Sequence, residues 1–257
     1  MRRTIWLPAL GALVFVFTLI WQAPLAAFAD RNDLAQRGVL FERAQGTIWS
    51  GDLLGVALGG QPIGRVTLDL KPASLLTGEI AYDMDVAGPA GEGRGQLAFS
   101  PGGGIALRDL VADVNLQAIE RLDTRLRQAP ATVSVILPEL IADRRMACRR
   151  ADGRLQSDLL QRLGGQFSWT GPPMAGIIAC DGEGGYQVTL ANTGGEDEIA
   201  LDAIGSPLTA SYTADVRVRT NNEQVANTLL LMKFQKVDDQ YVYSRVNGVV
   251  RSIGEAG

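Results

Sequence analysis

The residues of this chain that could hold chemistry are two cysteines, three close groups of carboxylates and two glycine-rich runs, with no histidine anywhere in 257 residues. Lack of histidine removes the usual general base, the commonest metal ligand and the physiological pH switch. Ser-His-Asp, Cys-His and His-metal chemistries are therefore excluded. Cys148 and Cys180 are the only cysteines. In an exported domain such an even count reads as one disulfide, closing a loop of about thirty residues. Loop-closure entropy makes that bridge worth about 3–4 kcal/mol. Two separately buried thiols are the bland alternative, and a redox pair would want Cys-x-x-Cys spacing. Asp83/Asp85, Glu196/Asp197/Glu198 and Asp238/Asp239 could serve a glycosidase or a calcium ion only if they converge in space. Asp83 and Asp85, two apart, share one face of a strand, expected to be the solvated one. The other two groups flank glycine-rich or turn-like sequence. The runs at residues 91–95 and 102–104 have the glycine content of a phosphate cradle without its Lys-Ser/Thr ending or following helix, and both are predicted to be turns. No catalytic residue, metal ligand or cofactor-binding residue is assigned, and neither enzyme activity nor a small-molecule substrate is expected.

The elements that must position these residues begin with an apolar N-terminus. No charged side chain occurs in residues 4–29, and the 19 residues from 5 to 23 would form about 28 Å of helix, close to a bilayer's hydrocarbon thickness. Arg2 and Arg3 precede the segment and a charge-mixed flank follows. The positive-inside bias then places the N-terminus in the cytoplasm and the rest across the membrane. Trp6 and Trp21 stand near the two ends, where interfacial aromatics belong. A cleaved signal peptide is the competing reading, since Pro24 and the Ala27-Phe28-Ala29 sequence before Asp30 fit a cleavage site. Either reading exports the remainder.

A composition of 46% apolar and 20% charged residues is that of a globular domain. A net charge of -4 supplies no basic field for a nucleic acid. A polar segment holding Leu34, Val39 and Leu40 is read as helix up to Gly46. Beyond it, period-2 alternation at residues 66–70, 80–86 and 96–100, separated by short Gly/Pro turns, predicts an antiparallel meander. Leu116, Ile119, Leu122 and Leu126 at helical spacing predict an amphipathic helix over residues 116–127. Strand texture returns at 132–137, 154–156, 165–170, 177–180, 186–190, 198–201 and 208–219. A helix is predicted over 223–232 behind Asn222 as N-cap, and a last strand over 240–249. The fold class is mainly β, antiparallel strands with a few short helices, plus one transmembrane helix. Its regions are an anchor at 1–29 and two β-rich periplasmic parts at 30–130 and 131–257, the second carrying the disulfide.

Trp49 and Trp169 sit in similar settings, each bounded by Ser or Thr and then Gly. Such an aromatic at a strand end reads as a core or edge plug, and otherwise as an exposed anchor for a partner. The hexapeptide Gly46-Thr47-Ile48-Trp49-Ser50-Gly51, the run IGRVTLDLKPASLLTGEI at residues 63–80 and the FSWTGP run at 167–172 between the cysteines resemble type II secretion system protein N. So does Cys180 followed by Gly182, Tyr186 and Val188. The resemblance covers most of the chain. It implies a single-pass inner-membrane protein with its bulk in the periplasm. Its role would be an accessory structural component that supports export of folded periplasmic proteins across the outer membrane, with other inner-membrane and periplasmic secretion components as partners. It carries no set of functional residues and no enzyme activity. An AsmA-like envelope protein handling lipid, and a cleaved soluble periplasmic binding domain, are the alternatives.

Overall fold

The computed structural model describes residues 22–26, 39–58, 60–119, 130–164, 171–206, 211–246 and 249–251, with Thr18 and Arg127. They form one sheet of sixteen strands: β1 (Val39–Leu40), β2 (Arg43–Gly46), β3 (Ser50–Leu58), β4 (Gln61–Leu70), β5 (Ile80–Gly88), β6 (Gly91–Phe99), β7 (Ile105–Asn115), β8 (Thr132–Ala142), β9 (Cys148–Ser157), β10 (Met174–Cys180), β11 (Tyr186–Asn192), β12 (Glu198–Ser206), β13 (Ser211–Arg219), β14 (Gln235–Val237), β15 (Gln240–Val246) and β16 (Val249–Arg251). From β3 to β13 each strand pairs antiparallel with the next in sequence. Most of the connecting turns are too short for a crossover, and the longer β7–β8 and β9–β10 connections also return antiparallel, so the meander expected from the alternation is what forms. Pro130 lies in the β7–β8 connection, and those two strands pair from Ile105↔Ala142 to Asn115↔Thr132.

Register sorts the side chains onto two faces. Leu53, Val66 and Val86 stand opposite one another across β3, β4 and β5, as do Leu190, Leu201 and Val216 across β11, β12 and β13. This apolar face holds two clusters. One is Leu25, Leu53, Val56 and Val66; the other is Met174, Ile199, Val218 and Tyr241, covered by Leu160, Ala226 and Leu229 from the helices. The opposite face carries the cross-strand ion pairs Arg150–Glu139, Arg217–Asp202 and Arg219–Glu198. The described strands form a single layer, so the core is thin. Even the deepest large side chains, Leu25, Val56 and Tyr82, retain 3% exposure.

Helix α2 (Glu223–Leu231) starts as predicted, with Asn222 Oδ1 accepting the Gln224 and Val225 amides at 3.0 and 3.3 Å. Helix α1 (Leu159–Gly164) and a 3-10 turn over Pro72–Thr77 were not legible. Three expectations are corrected. Residues 39–46 are β1 and β2 rather than helix, because pairing with β3 lets Val39, Phe41 and Ala44 pack against the first cluster. Residues 91–95 are the start of β6 rather than a turn, and their glycines answer close strand approach. A Cβ on Gly93 would lie 2.9 Å from the Ala112 Cβ, and one on Gly95 2.9 Å from the Leu110 Cα. The predicted helix at 116–127 begins as a 3-10 turn over Leu116–Ala118 and closes at Ile119 in extended conformation; residues 120–126 lie outside the described residues. So do the strand expected at 165–170, with Trp169, and most of the expected transmembrane helix. Among the described residues no helix is long and apolar enough to cross a membrane.

Candidate functional site

The hexapeptide at residues 46–51 forms the turn between β2 and β3, and its residue types follow from crowding. Gly46 has φ +87°, and a Cβ there would meet the Ser50 carbonyl at 2.5 Å; one on Gly51 would meet the Gln45 carbonyl at 2.4 Å and Leu25 Cδ2 at 2.8 Å. The Thr47 amide donates to the Ser50 carbonyl at 2.9 Å, while Thr47 Oγ1 accepts from the Trp49 and Ser50 amides at 3.3 and 3.4 Å. Thr47 thus satisfies the turn locally, as Ser and Thr hydroxyls do. Through the turn a strap, residues 22–26, is tied to the sheet. The Ile48 amide donates to the Ala23 carbonyl at 3.0 Å, Pro24 bridges Thr47, and Leu25 fills the cluster with Leu53 and Val66. Trp49 is half-buried, and its carbonyl accepts the Leu70 amide at 2.7 Å. Among Gly46, Thr47, Trp49, Ser50 and Gly51 no nucleophile is set against a base; the arrangement holds strap, hairpin and β4 together. Trp169 is not part of the described residues.

Cys148 and Cys180 form a disulfide with Cα atoms 5.5 Å apart. The β9–β10 ladder runs from Ser157↔Met174 only to Gly153↔Ile178, so the bridge ties the strands where their hydrogen bonds have stopped. The Cys148 amide donates to the Gly184 carbonyl at 2.8 Å, and the Tyr186 hydroxyl to the Met146 carbonyl at 2.9 Å. Three links therefore lock the β8–β9 loop to the β10–β11 turn.

Of the carboxylates, Asp83 and Asp85 are exposed on the polar face, and Asp83 accepts from Lys71 Nζ at 3.1 Å. The other two groups do meet: Arg219 bonds Glu198 at 2.6 Å and Asp239 at 2.8 Å. The hydrogen bond to Asp239, then the charges of both acids, push the guanidinium pKa up. Glu198 and Asp239 thus share a cation already in place. Among the described residues no three His, Cys, Asp or Glu side chains are grouped to hold a metal ion. Two open hollows of about 430 and 410 Å³ flank the top of β8. The first contains Glu92 and Asp113, which face each other across β6 and β7, and Asp113 accepts the Ser134 hydroxyl.

Exposed apolar residues are the feature the sequence reading missed. Val111, Ile136 and Ile177 are 45, 53 and 56% exposed. They fall in one cross-strand row of the polar face, Val111↔Ile136↔Arg154↔Ile177. Each belongs to an adjacent apolar pair, Leu110-Val111, Ile136-Leu137 or Ile177-Ile178. In a strand one member of such a pair must face out, so the signal was present. Leu75 and Leu76, on the 3-10 turn, are 45 and 90% exposed.

The sequence model of the family described as Type II secretion system (T2SS), protein N, matches residues 37–241, from just before β1 into β15. No curated protein and no solved structure matches the chain.

Proposed function

Since the chain belongs to the type II secretion system protein N family, and so to the components of that system, we propose that it is an accessory, non-catalytic scaffold that supports export of folded periplasmic proteins across the outer membrane. The observation that carries this reading is the family match over residues 37–241. The polar face adds to it: three of its cross-strand charge pairs are closed, and the row of exposed Val111, Ile136 and Ile177, with Arg154 between the two isoleucines, is a surface for another secretion component. Residues 5–23 are taken to anchor it in the inner membrane, N-terminus inside, with the sheet in the periplasm. Expressed in a diderm host, the protein is expected at full-length mass in the inner-membrane fraction, and its deletion is expected to leave secreted proteins stranded in the periplasm. Normal secretion without it would overturn the scaffold role; a mature protein beginning at Asp30 in the soluble periplasm would overturn the anchor.

A second reading is favoured by one observation. The sheet is a single layer, and among the described residues no large side chain on its apolar face is fully buried, a surface suited to acyl chains. Co-purification of phospholipid with the detergent-extracted protein, read by mass spectrometry, would support it; delipidated protein that takes up no labelled fatty acid would remove it.

A further inference from the structure

In a meander the connections alternate between the two ends of the sheet. The turns after β2, β4, β6 and β8 share one end, and α2, after β13, lies at the other. At the first end the strap is pinned through Ala23, the last residue of the apolar segment 5–23, which accepts the Ile48 amide. Beside it, Leu70 donates to the Trp49 carbonyl and leads directly into the 3-10 turn Pro72–Thr77. That turn is held rigidly. The Lys71 amide donates to the Ala81 carbonyl at 2.8 Å, Ser74 Oγ accepts the Ala81 amide at 3.1 Å, and Glu79 takes a two-pronged bond from Arg108 at 2.9 and 3.1 Å. Buried Ala81, Ala98 and Ala106 lie in one row of that end. The structure thus fixes a leucine that is 90% exposed, Leu76, next to Leu75, at the end where the apolar segment finishes.

A second observation is at the same end. The β8–β9 loop is shaped by Asp143, whose Oδ1 accepts the Arg145 and Ala147 amides at 2.8 and 3.1 Å, and it carries Arg144 and Arg145 with exposed side chains. Arg144 Nε donates to the Gly102 carbonyl at 3.1 Å, tying this loop to the β6–β7 turn. Glu183, on the β10–β11 turn, is an exposed acid at this end.

We propose that this end of the sheet is seated on the bilayer, with Leu75 and Leu76 dipping into the interface and Arg144 and Arg145 against anionic phospholipid headgroups. Exposed apolar and basic side chains presented along one end of a fold are the chemistry of an interfacial membrane contact. The inference rests on the reading that residues 5–23 span the membrane. The sheet then stands with its strands rising from the membrane, and α2 is the part furthest from it.

The test is full-chain protein in vesicles of phosphatidylethanolamine and phosphatidylglycerol, carrying an environment-sensitive fluorophore on Ile20→Cys, Leu76→Cys or Leu231→Cys, with lipid-borne quenchers. The native cysteines are bridged and stay unlabelled. Leu231 is 85% exposed at the α2 end, so it controls for an exposed leucine away from the membrane. Probes at positions 20 and 76 are expected to shift to the blue and be quenched several-fold more than the probe at 231. Replacing phosphatidylglycerol by phosphatidylcholine, or making Arg144→Glu with Arg145→Glu, is expected to reduce quenching at 76 alone. Quenching at 20 without quenching at 76 would overturn the seated end and leave the anchor standing. Equal quenching at 76 and 231 would also overturn it, and no quenching at any position would overturn both readings.

Discussion

At the residue scale the informative positions are those where a single atom is constrained. Gly51 is one: the 2.4 Å that separates its missing Cβ from the Gln45 carbonyl is a backbone clash that no side-chain rotation relieves. Gly51→Ala is expected to lower stability by about 1–3 kcal/mol and to loosen the strap. Urea unfolding reads the first effect and proteolysis near Ala23 the second; a variant as stable as the parent would mean that the turn opens freely. Glu79 is another. The Arg108 hydrogen bond holds its carboxyl below the ordinary carboxylate range. A depressed pKa adds stability above the unfolded value of about 4.3 and loses it as pH falls through the folded one. Glu79→Gln should therefore cost up to about 1 kcal/mol at neutral pH, with the gap to the parent closing as pH falls below the unfolded value and through the lowered folded one. A gap independent of pH would show that packing, rather than charge, holds the turn at Pro72–Thr77.

At the element scale, stability rests on how strands and helices are ended. The disulfide joins β9 to β10 beyond the last ladder pair, Gly153↔Ile178. Cys148→Ser with Cys180→Ser is expected to cost about 2–4 kcal/mol and to expose the β10–β11 turn to proteolysis first. Unchanged melting on adding a reductant would contradict this. Asn222→Ala removes the acceptor of two helix amides and should destabilise α2 by about 1 kcal/mol, seen as faster amide exchange confined to residues 223–232. Elements with strict alternation, such as β5 with Ile80, Tyr82, Met84 and Val86 on one face, could be read from sequence because local pattern and burial agree. The β2 strand could not. Arg43, Ala44, Gln45 and Gly46 hold no large or β-branched apolar residue, and pairing with β3 makes them a strand. The same applies to the site: Trp49 between Ser/Thr and Gly reads as a strand end, but the strap that makes Gly51 obligatory is a long-range contact no local pattern encodes.

At the scale of the molecule, a single-layer meander must manage two edges and a thin core. The outer side of β3 is covered by two short strands, β1 and β2, and that of β15 by β14 and β16. Neither edge offers a long unpaired strand to another chain, a device that suppresses edge-to-edge association and leaves the faces for partners. Since from β3 to β13 each strand pairs with its neighbours in sequence, stability is distributed locally, as in a repeat array. The clusters around Leu25, Leu53, Val56 and Val66 and around Met174, Ile199, Val218 and Tyr241 fall on opposite sides of Pro130. The division into 30–130 and 131–257 then becomes a statement about cooperativity: each side should open around its own cluster. Val66→Ala and Val218→Ala each delete buried methyl groups and should cost about 2 kcal/mol. Hydrogen exchange is expected to quicken only in β3–β5 for the first variant and only in β11–β15 for the second. Acceleration across all strands in both would instead mean that the β7–β8 ladder couples the ends into one cooperative unit, and the two-part division would have to be abandoned.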